Sequence, residues 1–592
     1  MNHHRRSTAR LATPAVCFLA CWGLLATICW PALPLHAAES DSELIQRGFE
    51  TANRYCGRCH GEGNSQGPAT LVISRPDLLR EEGYVVIGSP GDSPLWQRIE
   101  VREMPPENQP QPSEQDRAAL KAWIAAGSPA FLRDTGAFVG DLQVLETIRG
   151  DLRKLSAADR PHARYFTLAH LHNNGKIDAA ALRNYRAALA KTINSMSWKP
   201  QLHTPRQLGP GDAVLAIDLR RLGWDAADWD AILQRYPYGL RFDQANDDAV
   251  AAAAAEVRSL CGSPLPLVRI DWFVTNATRP PLYHRLLELP ATDRELEAIL
   301  QIDVDANFLS DVARRAGFAE SGVSVSNRLV ERHPQPFGYY WKSYDFRRSN
   351  GTGSLFQFPL GPAFAGHPHG EFAFRHDGGE IIFSLPNGLQ GYYLSDGGGG
   401  RLDAGPIDVV RDVKETSGTP LVVNGISCMH CHEKGLIDFR DSVRAGLAVY
   451  GDVRAKTLRL YPPAEEMDAV VRGDNDRFLH ALAATLTPWL GEQVAGQKSD
   501  QVGEPVATTA LFYYADVTLE KAAYELGLED AEVLGAAIRH NPTLRKLGLG
   551  PLIHGQMIDR QVWENQEAVV SPMQVAAREL EIATPYVVLT VD

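Results

Sequence analysis

The chain has 592 residues, of which 44% are hydrophobic and 22% charged, and its formal net charge is −13. These proportions are those of ordinary globular protein, and the length allows several domains. An acidic surface of this size argues against nucleic acid or anionic lipid as a partner.

The first element is a leader. His3 to Arg10 is basic, Leu11 to Trp30 carries no charge, Pro31-Ala-Leu-Pro34 breaks any helix, and His36-Ala37-Ala38 offers small residues for cleavage. Residues 1–38 are read as a secretory signal peptide cut near Ala37 or Ala38. The alternative is an uncleaved anchor, since 20 uncharged residues just span a bilayer. Cleavage leaves an exported, periplasmic-type protein with no stable membrane insertion. It also removes Arg5, Arg6 and Arg10, so the mature chain is still more acidic.

Two pentapeptides then stand out, Cys56-Gly57-Arg58-Cys59-His60 and Cys428-Met429-His430-Cys431-His432. Cys-x-x-Cys-His is the attachment signature of c-type haem. The two thiols add across the haem vinyl groups, and the adjacent His becomes the proximal iron ligand. Structural zinc gathers its Cys pairs within tens of residues, which these two pairs do not. A redox disulfide leaves both following histidines unexplained. Two covalently bound haem c groups are therefore expected. Of the eight cysteines, Cys17, Cys21 and Cys29 lie in the leader and four lie in the motifs. Only Cys261 is left, so no structural disulfide is expected.

Residues 39–134 read as one all-α unit. Ser42 to Arg54 is helical and delivers Tyr55 and Cys56; a Gly-rich loop follows, Gly61 to Pro68. Met104-Pro105-Pro106 comes next, and then a helix from Ser113 to Ala126 with Ser113 as N-cap and Asp116 in the first turn. Ala119, Leu120, Trp123 and Ile124 form its apolar stripe, and Gly127 ends it. Tyr55-Cys56-Gly-Arg-Cys59-His60, Arg102-Glu-Met104-Pro-Pro106 and Leu120-Lys-Ala-Trp-Ile-Ala-Ala-Gly127 resemble a class I cytochrome c domain of the planctomycete type. The resemblance implies His60 and Met104 as the axial ligands of haem 1. A Met ligand raises the potential and favours electron transfer over chemistry.

Residues 135–350 read as mainly helical. Tyr165, Leu168, Leu171, Leu182, Tyr185, Leu189 and Ile193 recur at three-to-four spacing between Pro161 and Ser197. A strand is expected at Ala213–Leu219, a Trp-rich helix through Trp224, Trp229 and Ile232, a strand or buried helical turn at Val268–Val274, and helix again over Leu286–Ala316. His170 and His172 show no carboxylate partner in the sequence and are read as ordinary histidines and not as a metal pair.

Residues 351–505 read as a β-rich segment that holds the second haem. Aromatic residues crowd between Phe337 and Tyr393, with Asp377-Gly378-Gly379 and Gly397–Gly400 between them. The pattern predicts antiparallel hairpins with tight turns, forming a wall over haem 2. The sixth ligand of that haem stays open. Met467, in a helix that starts after Pro463, repeats the order seen at haem 1 but suits a core position as well. His367, His369 and His376 precede the motif. Arg375-His376-Asp377-Gly378 has a weak likeness to a segment of dihaem peroxidases, and His376 or Arg375 would there assist proton transfer. Residues 506–592 read as a C-terminal helical region without chemistry.

The fold class expected is mainly α with a smaller antiparallel β subdomain, an N-terminal cytochrome c fold followed by a large mixed domain. The function expected is an exported dihaem c-type cytochrome that passes electrons to a redox partner protein. The alternative is a dihaem peroxidase- or oxygenase-like oxidoreductase, in which haem 1 feeds a reactive haem 2.

Overall fold

The computed structural model describes residues 41–60, 71–73, 76–106, 109, 111–129, 136–243, 245–319, 326–412, 417–491, 504–565 and 567–588. The leader and the Gly-rich loop at 61–68 lie outside the described residues. Among the described residues, no helix is long and apolar enough to cross a membrane.

Two helices frame the N-terminal unit, α1 (Asp41–His60) and α2 (Glu114–Ala125). They close on a small core of its own, in which Phe49, Trp96, Leu120 and Trp123 are buried. The crossing is tight at Gly48, where an added Cβ would lie 2.2 Å from the Ala119 carbonyl oxygen. Ser113 caps α2 as expected: its Oγ accepts the Asp116 N–H at 3.1 Å, and the Asp116 carboxylate accepts the Ser113 N–H at 3.2 Å. Ala119, Leu120, Trp123 and Ile124 form the buried face, and Gly127 follows the helix at φ +84°.

Most of the rest of the described chain packs on one main core, running from Val139 to Ala577, with smaller clusters beside it. Its first layer is a four-stranded sheet of β1 (Ala163–Thr167), β2 (Arg206–Leu208), β3 (Val214–Asp218) and β4 (Leu267–Arg269), in the order β2-β3-β1-β4. β1 runs parallel to β4 and antiparallel to β3. Tyr165 thus lies in a strand, which corrects the expected helix through Pro161–Ser197; the helix α3 occupies only Ala179–Asn194. Four of the five residues of β1 are buried. A strand buried on both faces shows no alternation, so its apolar run blends into the helical spacing that follows. Val268–Val274 resolves into both elements offered, the end of β4 and then α4 (Ile270–Ala277).

The second sheet is a six-stranded antiparallel meander: β5 (Arg314–Phe318), β6 (Arg328–Gln335), β7 (Gly338–Asp345), β8 (Gly378–Ser384), β9 (Gln390–Asp396) and β10 (Arg401–Leu402), paired in chain order. Its strands come from both sides of residue 350, so the boundary expected there runs through the sheet. The helix expected over Leu286–Ala316 is two short helices, Asp293–Ile299 and Val304–Leu309, followed by the first strand of this sheet. Asp377-Gly378-Gly379 is not a hairpin turn either. Gly378 and Gly379 begin β8, and a Cβ on Gly379 would lie 2.0 Å from the Ser343 carbonyl oxygen. The glycines are there to let two strands approach, the other reason a strand carries glycine.

Helix α5 (Ile426–Cys431), the 27-residue helix α6 (Ala464–Leu490) and α7 (Pro505–Tyr514) close the core. α7 packs on α3, α4 and α5. A buried ionic network fastens the C-terminal region to the first sheet. Arg269 reaches Asp271 and Glu525 at 2.7 Å each, Arg560 reaches Glu525 at 2.8 Å, and the Trp563 indole N–H donates to Glu525 at 2.8 Å. His170 joins it at 3.0 Å from Asp271. Its partner is 101 residues away in the chain, beyond any local reading.

Candidate haem sites

The first motif ends α1. Cys56 and Cys59 lie on its last turn, and Cys56 packs against the N-terminal core. Burial, and then the neighbouring Cys59, push the Cys56 thiol up to about 12. Burial also lowers His60, which favours the neutral imidazole an iron requires. The His60 carbonyl accepts the Ile73 N–H at 2.8 Å, which fixes the exit from the motif. Met104 is half-buried in a turn after the short helix Pro94–Glu100, and its N–H donates to the Arg98 carbonyl at 3.1 Å.

Residues 56–108 match the family model of planctomycete cytochrome C. The N-terminal unit is a planctomycete-type cytochrome c domain. No curated protein and no solved structure matches the chain. The cytochrome c domain carries covalently bound haem c by the nature of its family, and Cys56 and Cys59 lie within it.

The second motif is built differently. Gly425, at φ +93°, turns the chain into α5, and a Cβ there would lie 2.5 Å from the Thr278 carbonyl oxygen. Cys428 and Cys431 fall on this one helix, with His432 at its end. His432 Nδ1 lies 3.0 Å from the Gly435 carbonyl oxygen. A carbonyl accepts only, so Nδ1 keeps a proton and Nε2 is the nitrogen left to bind metal when the ring is neutral. Asn475 of α6 secures this arrangement: its Oδ1 accepts the Leu436 N–H at 2.7 Å, and its Nδ2 donates to the Leu436 carbonyl at 3.1 Å.

α5 borders a cavity of about 790 Å³, lined by Cys428, Cys431 and His432 on one side and by the second sheet on the other. That volume is in the range of a cofactor site. Side chains alternate across a strand, so Arg328 and Val330 of β6, Trp341, Ser343 and Asp345 of β7, and Glu380 and Ile382 of β8 share the cavity face. Phe318, Leu394, Val409 and Phe439 make much of the remaining lining apolar. An apolar slot beside two Cys thiols on one helix, with the third group presenting its Nε2, fits a haem. The second sheet does border the second motif, but its cavity face is not the expected aromatic wall: of the aromatic residues between Phe337 and Tyr393 only Trp341 lines the cavity, while Tyr392 stacks near the His432 ring, centroid to centroid 6.2 Å.

Several polar groups of the cavity wall are already engaged, mostly with residues behind it. Arg328 Nε donates to Asp345. Lys342 Nζ donates to Asp293 at 2.7 Å and Glu297 at 3.2 Å. The Trp341 indole N–H donates to Asp474 at 2.8 Å, and Asp474 also holds Arg332 at 3.0 Å. Glu380 is the exception, with Oε2 3.5 Å from His432 Nε2. Burial would raise its carboxyl, but His432, and then Arg328 and the Cys428 thiol, outweigh burial and hold it down at about 2.

The candidates for a sixth ligand lie elsewhere. Met467 is only 5% exposed and belongs to the main core, away from the cavity wall. His376 packs edge-on against Tyr344, and burial, then Lys342, lower it to about 4. His367 lies 2.8 Å from the Leu360 carbonyl and stacks on Phe308 and Phe364. His369 and Arg375 also lie outside the cavity lining, and Arg375 is exposed. Sequence reasoning missed Glu380, Arg328, Asp345 and Asn475. The one signal available for Glu380 was a lone charge inside the apolar strand run Gly378-Gly-Glu-Ile-Ile-Phe383.

Proposed function

We propose that this protein is an exported dihaem c-type cytochrome, with one haem on Cys56, Cys59 and His60 and a second on Cys428, Cys431 and His432. The observation that carries the second haem is the second motif's position: both thiols on one helix at the edge of the cavity, and His432 Nδ1 pinned so that Nε2 is free for metal. Bound haem supplies a one-electron Fe(III)/Fe(II) couple at each site. The chain's own residues do the rest. His60 and His432 present imidazole nitrogen, Met104 supplies sulfur at the first site, and the sheet face keeps water from the second. Burial, and then Glu380, hold the Cys428 thiol well above its ordinary value, as burial does for Cys56. Thiolate is the nucleophile, so haem attachment belongs to the chain before these sites close, which agrees with export ahead of folding. A redox partner protein, favouring an acidic surface, receives or supplies the electrons.

The enzymatic reading keeps one supporting observation. Among the described residues, the cavity walls carry no Met and no His other than His432. An iron without a strong protein ligand binds small molecules, so haem 1 would feed a reactive haem 2.

Haem counting tests the assignment. The wild-type chain is expected to hold two haems by mass and by pyridine haemochrome absorbance. Cys428→Ala/Cys431→Ala and Cys56→Ala/Cys59→Ala are each expected to hold one. One haem in the wild type, unaffected by the Cys428 pair, would refute the second site.

A further inference from the structure

Resting on the second haem just proposed, we infer that Glu380 faces its iron and supplies a carboxylate oxygen to the sixth position. Three observations converge on this side chain. It lines the cavity and is 16% exposed. Its Oε2 lies 3.5 Å from Nε2 of His432, the nitrogen that must face the metal. First-row metals sit about 2 Å from an imidazole nitrogen and about 2 Å from a carboxylate oxygen. Two ligands across one iron are therefore about 4 Å apart, and the carboxylate needs to withdraw by only about half an ångström.

The third observation concerns what attachment does to Glu380. Its partners in the described chain are His432 Nε2, the Arg328 guanidinium and the Cys428 thiol. Attachment turns the thiol into a thioether with no proton to donate, and it turns Nε2 into an iron ligand. Attachment thus removes two of the three together and leaves Arg328 alone. A buried carboxylate stripped of its partners costs several kcal/mol unless it finds another. Arg328 is already engaged with Asp345, and Lys342 with Asp293 and Glu297. The Glu380 N–H donates to Ser343 Oγ at 2.8 Å, which together with pairing to Leu394 fixes where the side chain starts. Ferric iron is the new partner that attachment brings within reach. A carboxylate is a weak-field, anionic ligand, so it leaves the iron high-spin, favours Fe(III), and is displaced by small anions.

The test is spectroscopic and uses the full exported holoprotein. First the haem count is established. Then the ferric form is read by electron paramagnetic resonance and near-infrared magnetic circular dichroism, with azide titration. The expected result is one low-spin haem and one high-spin haem in the wild type. Glu380→Gln should shift the high-spin signal, raise the potential of that haem and tighten azide binding; Met467→Ala should leave all three unchanged. Two low-spin haems in the wild type, or a second sulfur-to-iron band lost in Met467→Ala, would overturn the inference while leaving the dihaem reading intact. A Glu380→Gln spectrum identical to wild type would do the same. A chain with a single haem would overturn both. The wild-type spin state needs no variant, so a misfolded Glu380→Gln does not rescue the idea.

Discussion

At the first Cys-x-x-Cys-His the motif closes a 20-residue helix, and the surrounding unit is a small helical core with its own buried Trp123. At the second it occupies a six-residue helix between a six-stranded sheet and the main core. On the proposed dihaem reading, the five-residue pattern would serve attachment and the proximal histidine at both places. What faces the iron is left to the surroundings. At the first site those are a loop that carries Met104; at the second they are one face of a sheet, and the group aimed at the proximal nitrogen is a carboxylate. The same local chemistry is thus embedded once in a carrier-type module and once in a wall of charged pairs.

If the two regions are independent cores, they should break separately. The largest effect is expected in the main body from Glu525→Gln. It leaves Arg560 as a buried cation facing a neutral amide and Arg269 with Asp271 alone, which costs about 3–5 kcal/mol. Denaturant melts should show that loss in the main transition, with the haem 1 spectrum unmoved. Trp123→Ala is the counterpart in the N-terminal unit. It empties a fully buried site and costs about 3–5 kcal/mol there, so the haem 1 spectrum should be lost first and the main transition should hold. Coincident transitions in both variants would show a single cooperative body instead.

A smaller effect is expected from pH. Burial, and then Arg401, lower His284 from 6.5 to about 4. The unfolded chain binds this proton more tightly than the folded one, so stability is complete above pH 6.5. It falls as the pH drops from 6.5 to 4, by on the order of 2 kcal/mol. His284→Gln should flatten that part of the pH–stability curve of the main body, and an unchanged slope would remove His284 from the account. The smallest change is Ser113→Ala, which loses the cap of α2 and should cost the N-terminal unit about 1 kcal/mol by thermal melting.

Legibility followed range along the chain. The cap at Ser113, the stripe through Trp123 and the stop at Gly127 are local, and they were readable because helix ends and faces are set by residues three and four apart. The meander was readable as aromatic β-structure but not in extent. β5 and the first part of β6 look unlike the aromatic run, and Gly378-Gly379 passes for a turn when it is a close strand contact. His170 and Asp271, or Arg269 and Glu525, meet only through the fold. Met467 was ambiguous in the sequence for a plain reason: a core methionine and an axial methionine need the same apolar neighbours.

By itself, then, the sequence determined what is local, namely a cytochrome c unit with its Cys-x-x-Cys-His pentapeptide and a second helix capped at Ser113, and it raised the expectation of a second haem site and an export leader. Only the tertiary structure decided what each motif faces. Strand alternation and sheet register place Glu380, Arg328 and Asp345 on one wall, and no local pattern encodes which residues a sheet will bring across from a helix much further along the chain.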